Sequence, residues 1–127
     1  MMNATGLYSL AIEHLRSDNA IRNLVSRVYE QEPTAASVPY IYLSIHHSKG
    51  VPTFDELTSK VHVVCYTLSY SMLETLEIVE HTKRVLRKLL RETELTLNSN
   101  THRTVRRGEI FQSTVSFEVL IDDYLEI

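Results

Sequence analysis

The hydrophobic and polar positions near the middle of the chain predict a β-strand, Lys60–Leu68, that leads into a helix ending near Arg91. The strand is rich in β-branched and aromatic residues, which favour a packed, pleated surface. Ser71 and Glu74 have the S-x-x-E spacing of a capping box, so we expect the helix to begin there. At about 100° per residue, one face of this helix is apolar and has to be buried against a sheet: Met72, Leu76, Ile78, Val79, Val85, Leu86, Leu89 and Leu90.

The N-terminal part of the chain predicts two helices and two strands. Apolar residues at i, i+3, i+4, i+7 and i+8 indicate an amphipathic helix over residues 4–16. Asp18 can cap a short second helix, Asn19–Ser26, and a short strand is expected at Arg27–Glu30. Pro39–His46 predicts a strand with two unlike faces, because alternate residues point to opposite sides. Its apolar face carries Ile41, Leu43 and Ile45, and its other face carries Tyr40, Tyr42, Ser44 and His46.

The C-terminal part predicts two more strands. Glu94–Asn98 reads as a short strand, Ser99–Gly108 as a polar connection, and Glu109–Ile121 as a long strand with cleanly alternating apolar residues. A loop is expected at Ser48–Glu56. This order of elements predicts an α+β fold: a two-layer sandwich with a mostly antiparallel sheet, and with one long helix and the N-terminal helices packed on one face.

Composition narrows the class of protein. The chain has 127 residues, 43% of them hydrophobic, which predicts a single domain over residues 1–127. A formal net charge of −3 gives no general attraction to nucleic acid. One cysteine excludes an intrachain disulfide, and no apolar run approaches the ~20 residues of a membrane span. With no signal-peptide pattern at the start, we expect synthesis in the cytoplasm.

The histidines and the cysteine offer little support for an active site. His46 and His47 are adjacent and would point to opposite faces of a strand, whereas Glu77 and His81, at i, i+4 on the long helix, could in principle bind a metal. No H-E-x-x-H, C-x-x-C, D-x-D or glycine-rich phosphate motif is present. Cys65 lies in mid-strand, where a small buried hydrophobe is the favoured interpretation over a nucleophile. We therefore expect no catalytic residue, no metal and no cofactor.

Three groups of residues are candidates for contact with partners. Tyr40, Tyr42 and Tyr66 are expected on the sheet face away from the helices, and tyrosine is enriched at interfaces, although these residues could instead cap sheet edges. A second group, in the predicted polar connection, is Arg103, Arg106 and Arg107. These arginines could meet an acidic protein surface or a phosphate backbone, or lie in a solvated hairpin tip. The third group is the acidic C-terminal segment with Asp122, Asp123 and Glu126.

Three stretches resemble the tail-terminator family of tailed phages and phage-derived particles, also called tail-completion or head-to-tail joining proteins. They are Leu15–Tyr29, Val38–Leu43, and the strand Val61–Leu68 with Ser69 and the long helix after it. The resemblance extends from Leu10 to about Ile121. The chain departs from the family pattern late in the third strand, where the common aromatic, often Trp, is replaced by Cys65-Tyr66.

The resemblance implies a small subunit that assembles into a ring, usually a hexamer. Such a ring caps the growing tail tube, stops its polymerisation and offers a docking surface to the head connector, while DNA passes through its lumen as cargo. The implied partners are other copies of the chain, the tail-tube protein and the head connector or head-completion protein, with no membrane. The implied location is the head-proximal end of the virion tail, and the bacterial cytoplasm during assembly, in a phage, a prophage or a gene-transfer particle.

A ring needs two unlike, complementary patches on each subunit. The tyrosines are one candidate patch, and the arginines or the acidic segment are the other. The alternative functions are another head–tail connector component (a head-completion or tube-like subunit), a nucleic-acid-binding module that uses the arginines, and a small enzyme or metal-binding protein that uses His46, His62 or His81.

Overall fold

The computed structural model describes residues 3–48 and 58–122. The predicted loop after Ser48 and the acidic residues beyond Asp122 lie outside these ranges. Within the two ranges the chain forms three helices and five strands. In chain order they are α1 (Ala4–Ser17), α2 (Asn19–Leu24), β1 (Val28–Tyr29), β2 (Tyr40–Ser48), β3 (Thr58–Ser69), α3 (Met72–Glu92), β4 (Thr96–Arg107) and β5 (Ile110–Asp122).

The strands form one sheet in the order β1-β2-β3-β5-β4. β1 runs parallel to β2, and the other neighbours are antiparallel. α1 and α3 pack against each other and against one face of the sheet, where a continuous apolar core lies between the two layers. The predicted α+β sandwich is therefore confirmed. None of the helices in the described part of the chain has an apolar stretch long enough to cross a bilayer.

The N-terminal helices begin at side-chain caps. The Asn3 side chain accepts a hydrogen bond from the Gly6 amide at 2.8 Å, and Asp18 accepts one from the Ile21 amide at 3.1 Å. Each bond satisfies an amide that has no partner inside its helix. Asp18 also accepts a hydrogen bond from Arg84 of α3 at 2.8 Å. The predicted cap at Asp18 is confirmed, and the same carboxylate links α2 to α3.

α3 begins where the capping box predicts, but the second hydrogen bond of the capping box is replaced by two bonds through a third residue, Ser69. The Ser71 hydroxyl accepts from the Glu74 amide at 3.3 Å, as expected. The Glu74 carboxylate instead accepts from the Ser69 hydroxyl at 2.5 Å, and the Ser69 oxygen accepts from the Ser71 amide at 3.2 Å. A buried serine at the end of β3 therefore completes the start of α3.

α3 ends in a Schellman motif that contains no glycine. The Leu95 amide donates to the Leu90 carbonyl at 3.0 Å, and the Glu94 amide donates to the Arg91 carbonyl at 3.2 Å. Glu94 adopts φ 58°, the left-handed region that glycine usually occupies at this position. The helix end is therefore well satisfied in hydrogen bonds but strained at one residue.

The buried face of α3 is shifted from the predicted one. Met72 and Leu76, which the pattern places in the core, are 41% and 38% exposed. Thr75 and Thr82 are fully buried instead, and their hydroxyls donate to the carbonyls of Ser71 and Ile78. Because each hydroxyl is satisfied four residues back, threonine can lie at the centre of the contact face without an unpaired polar group.

β4 corrects the prediction of a polar connection at Ser99–Gly108. Residues Thr96–Arg107 form a strand that pairs with β5 along its length, with a bulge between Leu97 and Ser99. β4 is an edge strand and is mostly exposed, so its residues need not alternate between apolar and polar. The turn to β5 contains Gly108, whose φ of 63° favours glycine.

Candidate interaction surfaces

The face of the sheet turned away from α1 and α3 carries no helix within the residues that the structure describes. Ile41 and Leu43 of β2 point toward the helices and are fully buried. Alternate residues of the same strands point the other way, to what we call the outer face. Even there, Tyr42, Val64 and Gln112 are only 9%, 6% and 9% exposed. The middle of the outer face therefore leaves little side-chain area exposed.

Aromatic rings cross from β1 to β3, and we call Tyr29, Tyr40, Tyr42 and Tyr66 the tyrosine row. The Tyr29 ring meets the Tyr40 ring edge-on at 5.7 Å, and Tyr40 lies 6.4 Å from Tyr42. Tyr42 stacks on Tyr66 at 4.4 Å with the planes 10° apart. The structure therefore brings the three predicted tyrosines together. It adds Tyr29, which the short Arg27–Glu30 pattern did not single out.

The phenol groups of this row resist ionisation. Burial, followed by the carboxylate of Glu32 and the phenols of Tyr66 and Tyr40, raises the pKa of Tyr42 to about 12, and Arg107 opposes this shift. Burial and Glu32 also raise the pKa of Tyr40. Both side chains are therefore uncharged at neutral pH. They offer apolar ring area together with hydroxyl groups that can donate hydrogen bonds.

The three candidate arginines lie on β4, not in a loop, and they divide between its two sides. Arg103 and Arg107 pair with Thr114 and Ile110 and so share the outer face. Arg106 points to the helix side, where its guanidinium lies 5.7 Å from the Phe111 ring and donates to the Gly108 carbonyl at 2.9 Å. Arg107 is close enough to affect the pKa of Tyr42. The structure thus joins two of the predicted groups on one face.

The far end of the outer face is ionic. Glu118 lies 3.6 Å from Lys60 and 3.6 Å from His62, and it accepts a hydrogen bond from Asn98. The Asn98 bond, with the charges of Lys60 and His62, lowers the pKa of Glu118 against a smaller opposing effect of burial. From the tyrosine row to this cluster, the outer face changes from aromatic to charged.

The acidic candidates are placed only in part. β5 ends at Asp122, whose backbone pairs with Thr58 at the opposite end of the strand from Arg107. The side chain of Asp122 and the whole of Asp123 lie outside the described residues. The acidic and basic candidates therefore belong to opposite ends of the β4–β5 hairpin.

An exposed apolar patch at the start of α3 was missed by the sequence reasoning. Tyr70, Met72, Leu73 and Leu76 are 64%, 41%, 80% and 38% exposed, and we call these four residues the α3 patch. The pattern had assigned Met72 and Leu76 to the core. The positions of Thr75 and Thr82 could have indicated this. If these threonines lie at the centre of the buried face of α3, Leu76 falls at the edge of that face. Clustered exposed apolar residues mark contact sites more often than scattered ones do.

The residues considered for catalysis or metal binding have ordinary structural environments. Cys65 is fully buried, and burial raises its pKa to about 12, so its thiol is protonated and shielded. His46 contacts Ser44 at 3.1 Å, and His81 contacts Arg84 at 3.1 Å. Among residues 3–48 and 58–122, no three side chains of the metal-binding types come together.

Comparison with known proteins identifies a fold rather than a family. No model of a protein family matches the chain, and no curated protein matches its sequence. The α+β layers described above do recur among solved structures. One similar chain comes from "Virion of native gene transfer agent (GTA) particle", with a TM-score of 0.63 and 12% identity over 91% of this chain and 94% of that chain. The likeness covers nearly all of both chains and shows that they share a fold.

Proposed function

We propose that the chain is a structural protein of a phage-like particle, and that it caps the tail tube as an oligomeric ring. The observation that carries this proposal is the shared fold with a chain of a gene transfer agent virion over 91% of this chain and 94% of the other. The sequence resemblance to tail terminators points independently to the same kind of particle. In this role the ring, in its usual form a hexamer, stops tube polymerisation and provides the surface to which the head docks.

The surfaces of the molecule support a role in assembly. The tyrosine row and the α3 patch present aromatic and apolar groups, and Arg103 and Arg107 present charge at one end of the outer face. Subunits of a closed ring meet through two unlike patches, and the tube and the head connector need further area. The described surface provides several distinct patches of this kind. The reactive side chains considered above have no arrangement that favours catalysis, which fits a structural role without cofactor.

The decisive experiment is deletion of the gene in the phage or bacterium that carries it, with electron microscopy of the particles. We expect tail tubes of irregular length that fail to join heads, because nothing terminates them. Normal tails joined to heads would overturn the proposal. Normal-length free tails beside leaking heads would identify a head-completion subunit, and loss of all tubes would identify a tube subunit.

A second measurement examines ring formation directly. Native mass spectrometry or analytical ultracentrifugation of the purified chain, alone and with tail tubes, should reveal a closed oligomer at the tube end. DNA is proposed only as cargo in the lumen, so the free subunit should show little of the steep, salt-dependent DNA affinity of a nucleic-acid-binding protein.

A further inference from the structure

The β4–β5 hairpin is basic at one end. Arg103, Val105 and Arg107 of β4 face outward beside Ile110 of β5, and we call these four residues the basic end. Both arginines are exposed, while Val105 and Ile110 are half-buried. Among the described residues, no carboxylate forms an ion pair with Arg103 or Arg107. The surface therefore offers two guanidinium groups around an apolar strip.

The last residue of β5 and the chain that follows it have the opposite character. Asp122–Ile127 reads Asp-Asp-Tyr-Leu-Glu-Ile, with three carboxylates, no basic residue and three large apolar side chains. Guanidinium groups bind carboxylates through paired, charge-assisted hydrogen bonds. Tyrosine, leucine and isoleucine side chains suit an apolar strip such as Val105 and Ile110. The segment and the basic end are complementary in both charge and hydrophobicity.

Distance prevents the segment from reaching the Arg107 end of the hairpin within one copy. β5 has 13 residues, and Ile110 lies beside Arg107 at its start. At about 3.4 Å per residue, Asp122 is about 40 Å from that end. The five residues after Asp122 extend at most about 18 Å. Asp123–Ile127 therefore cannot reach the Arg107 end of its own hairpin, but it can reach that of a neighbouring molecule.

We propose that Asp122–Ile127 of one copy docks on the basic end of the next copy. The contact joins unlike surfaces, so it repeats head to tail and can close into a ring. Only the closure of this contact into a ring rests on the proposed function. The pairing itself follows from the complementary charges and from the length of the segment. An acidic surface of a tube or connector protein is the competing occupant of the basic end.

Charge reversal tests the pairing on the full-length chain. One variant carries Arg103→Glu and Arg107→Glu, and the other carries Asp122→Lys and Asp123→Lys. Each variant alone should lose self-association by about ten-fold or more, because like charges then meet at every junction. A one-to-one mixture of the two variants should regain self-association. In a ring where the variants alternate, the lysine-bearing segment meets the glutamate-bearing end, and the unchanged segment meets the unchanged basic end. Arg87→Glu with Arg91→Glu, two exposed arginines of α3, is the matched control and should associate as the wild type does.

Cross-linking extends the test to weak association. A Glu109→Cys chain mixed with a Leu125→Cys chain should form a mixed dimer with a short bis-maleimide, since Glu109 lies in the turn beside the basic end. Cys65 should not react with the bis-maleimide, because it is buried. A Lys88→Cys chain mixed with Leu125→Cys is the control and should not cross-link.

Two results would overturn the docking proposal: unchanged association of both charge variants, or equal cross-linking of the Glu109→Cys and Lys88→Cys pairs. Variants that associate normally as purified chains but fail only in the presence of tubes or heads would assign the basic end to an external acidic partner. The gene-deletion phenotype is independent of these outcomes. A normal phenotype with confirmed docking would overturn the tail role alone, and an unterminated-tail phenotype without docking would overturn the docking alone.

Discussion

The phenol rings of Tyr42 and Tyr66 lie face to face, 4.4 Å apart and 10° from parallel. Truncation by Tyr66→Ala should lower the free energy of unfolding by about 1 kcal/mol or more, because a stacked pair adds about 0.5–1.5 kcal/mol to simple burial. The pKa of Tyr42 should also fall from about 12 toward its ordinary value as the ring becomes exposed.

Urea denaturation and a spectrophotometric tyrosine titration measure these two effects. Tyr70→Ala is the matched control, because Tyr70 is 64% exposed and belongs to the α3 patch. It should change the free energy of unfolding by less than about 0.5 kcal/mol. Equal destabilisation by the two substitutions would contradict a stabilising stack.

The link between Asp18 and Arg84 makes stability depend on pH. Burial alone would raise the pKa of Asp18, but hydrogen bonds from Arg84 and the Ile21 amide outweigh it and lower the pKa. The stabilisation is therefore fully present above the ordinary aspartate value of about 3.9 and is lost as pH falls through the lower folded value. Asp18→Asn should keep the cap and lose only this pH-dependent part, about 0.2–1 kcal/mol at neutral pH, since Arg84 is about half exposed.

Asp18→Ala removes the cap as well and should lower stability by about 1 kcal/mol more. Urea midpoints at neutral pH and near pH ~3 distinguish the two contributions. The difference between wild type and Asp18→Asn should shrink on acidification. A difference that stays constant across that range would show that the ion pair contributes nothing.

Leu73 is 80% exposed, whereas Ile78, about one and a half turns later on the same helix, is fully buried. Leu73→Ser should therefore change the free energy of unfolding by at most about 0.5 kcal/mol. Ile78→Ala should lower it by about 2–5 kcal/mol, because it leaves a cavity in the core. If the α3 patch contacts a partner, Leu73→Ser should reduce tail completion in a complementation assay at unchanged stability. Full complementation by the double variant Leu73→Ser with Leu76→Ser would show that the α3 patch is not needed for assembly.

Glu94 holds a left-handed conformation at the end of α3. A non-glycine residue there is strained by about 1–2 kcal/mol, and glycine loses about 0.5–1 kcal/mol more in chain entropy on folding. Glu94→Gly should therefore raise the free energy of unfolding by roughly 0.5–1 kcal/mol, measured by thermal or urea denaturation. Arg91→Gly, within the last helical turn, should instead lower it by about 1 kcal/mol. A destabilising Glu94→Gly would show that the Glu94 side chain contributes more than the strain removes.

The sequence predicted the fold where a local pattern has one physical solution. The alternation in β2, β3 and β5 and the caps at Asp18 and Ser71 each correspond to an observed element. Only the start of β4 was predicted, within the short strand Glu94–Asn98; the rest was missed because an edge strand is solvated, so its polar composition matches that of a loop. Thr75 and Thr82 were missed as core residues because their hydroxyls are satisfied within the helix, which composition alone does not reveal.

The interaction surfaces were predictable only as separate groups. Tyr40 and Tyr42 share a strand, so their common face follows from alternation, but their contact with Tyr66 depends on the register of β2 with β3. The proximity of Arg107 to the tyrosine row depends further on the register of β4 with β5. Register is set by tertiary pairing, so a single sequence could name these residues without bringing them together.

The bulge in β4 decides which side of the molecule carries positive charge. Asn98 is one residue more than the partner strand requires, so Leu97 pairs with Val119 whereas Ser99 already pairs with Glu118. If Asn98 instead paired with Glu118 in a regular ladder, every later side chain of β4 would turn over, and Arg103 and Arg107 would point toward the helices. Loss of the bulge with every residue retained would thus relocate the electrostatic face of this subunit while leaving its net charge untouched, a simple evolutionary route to a changed partner.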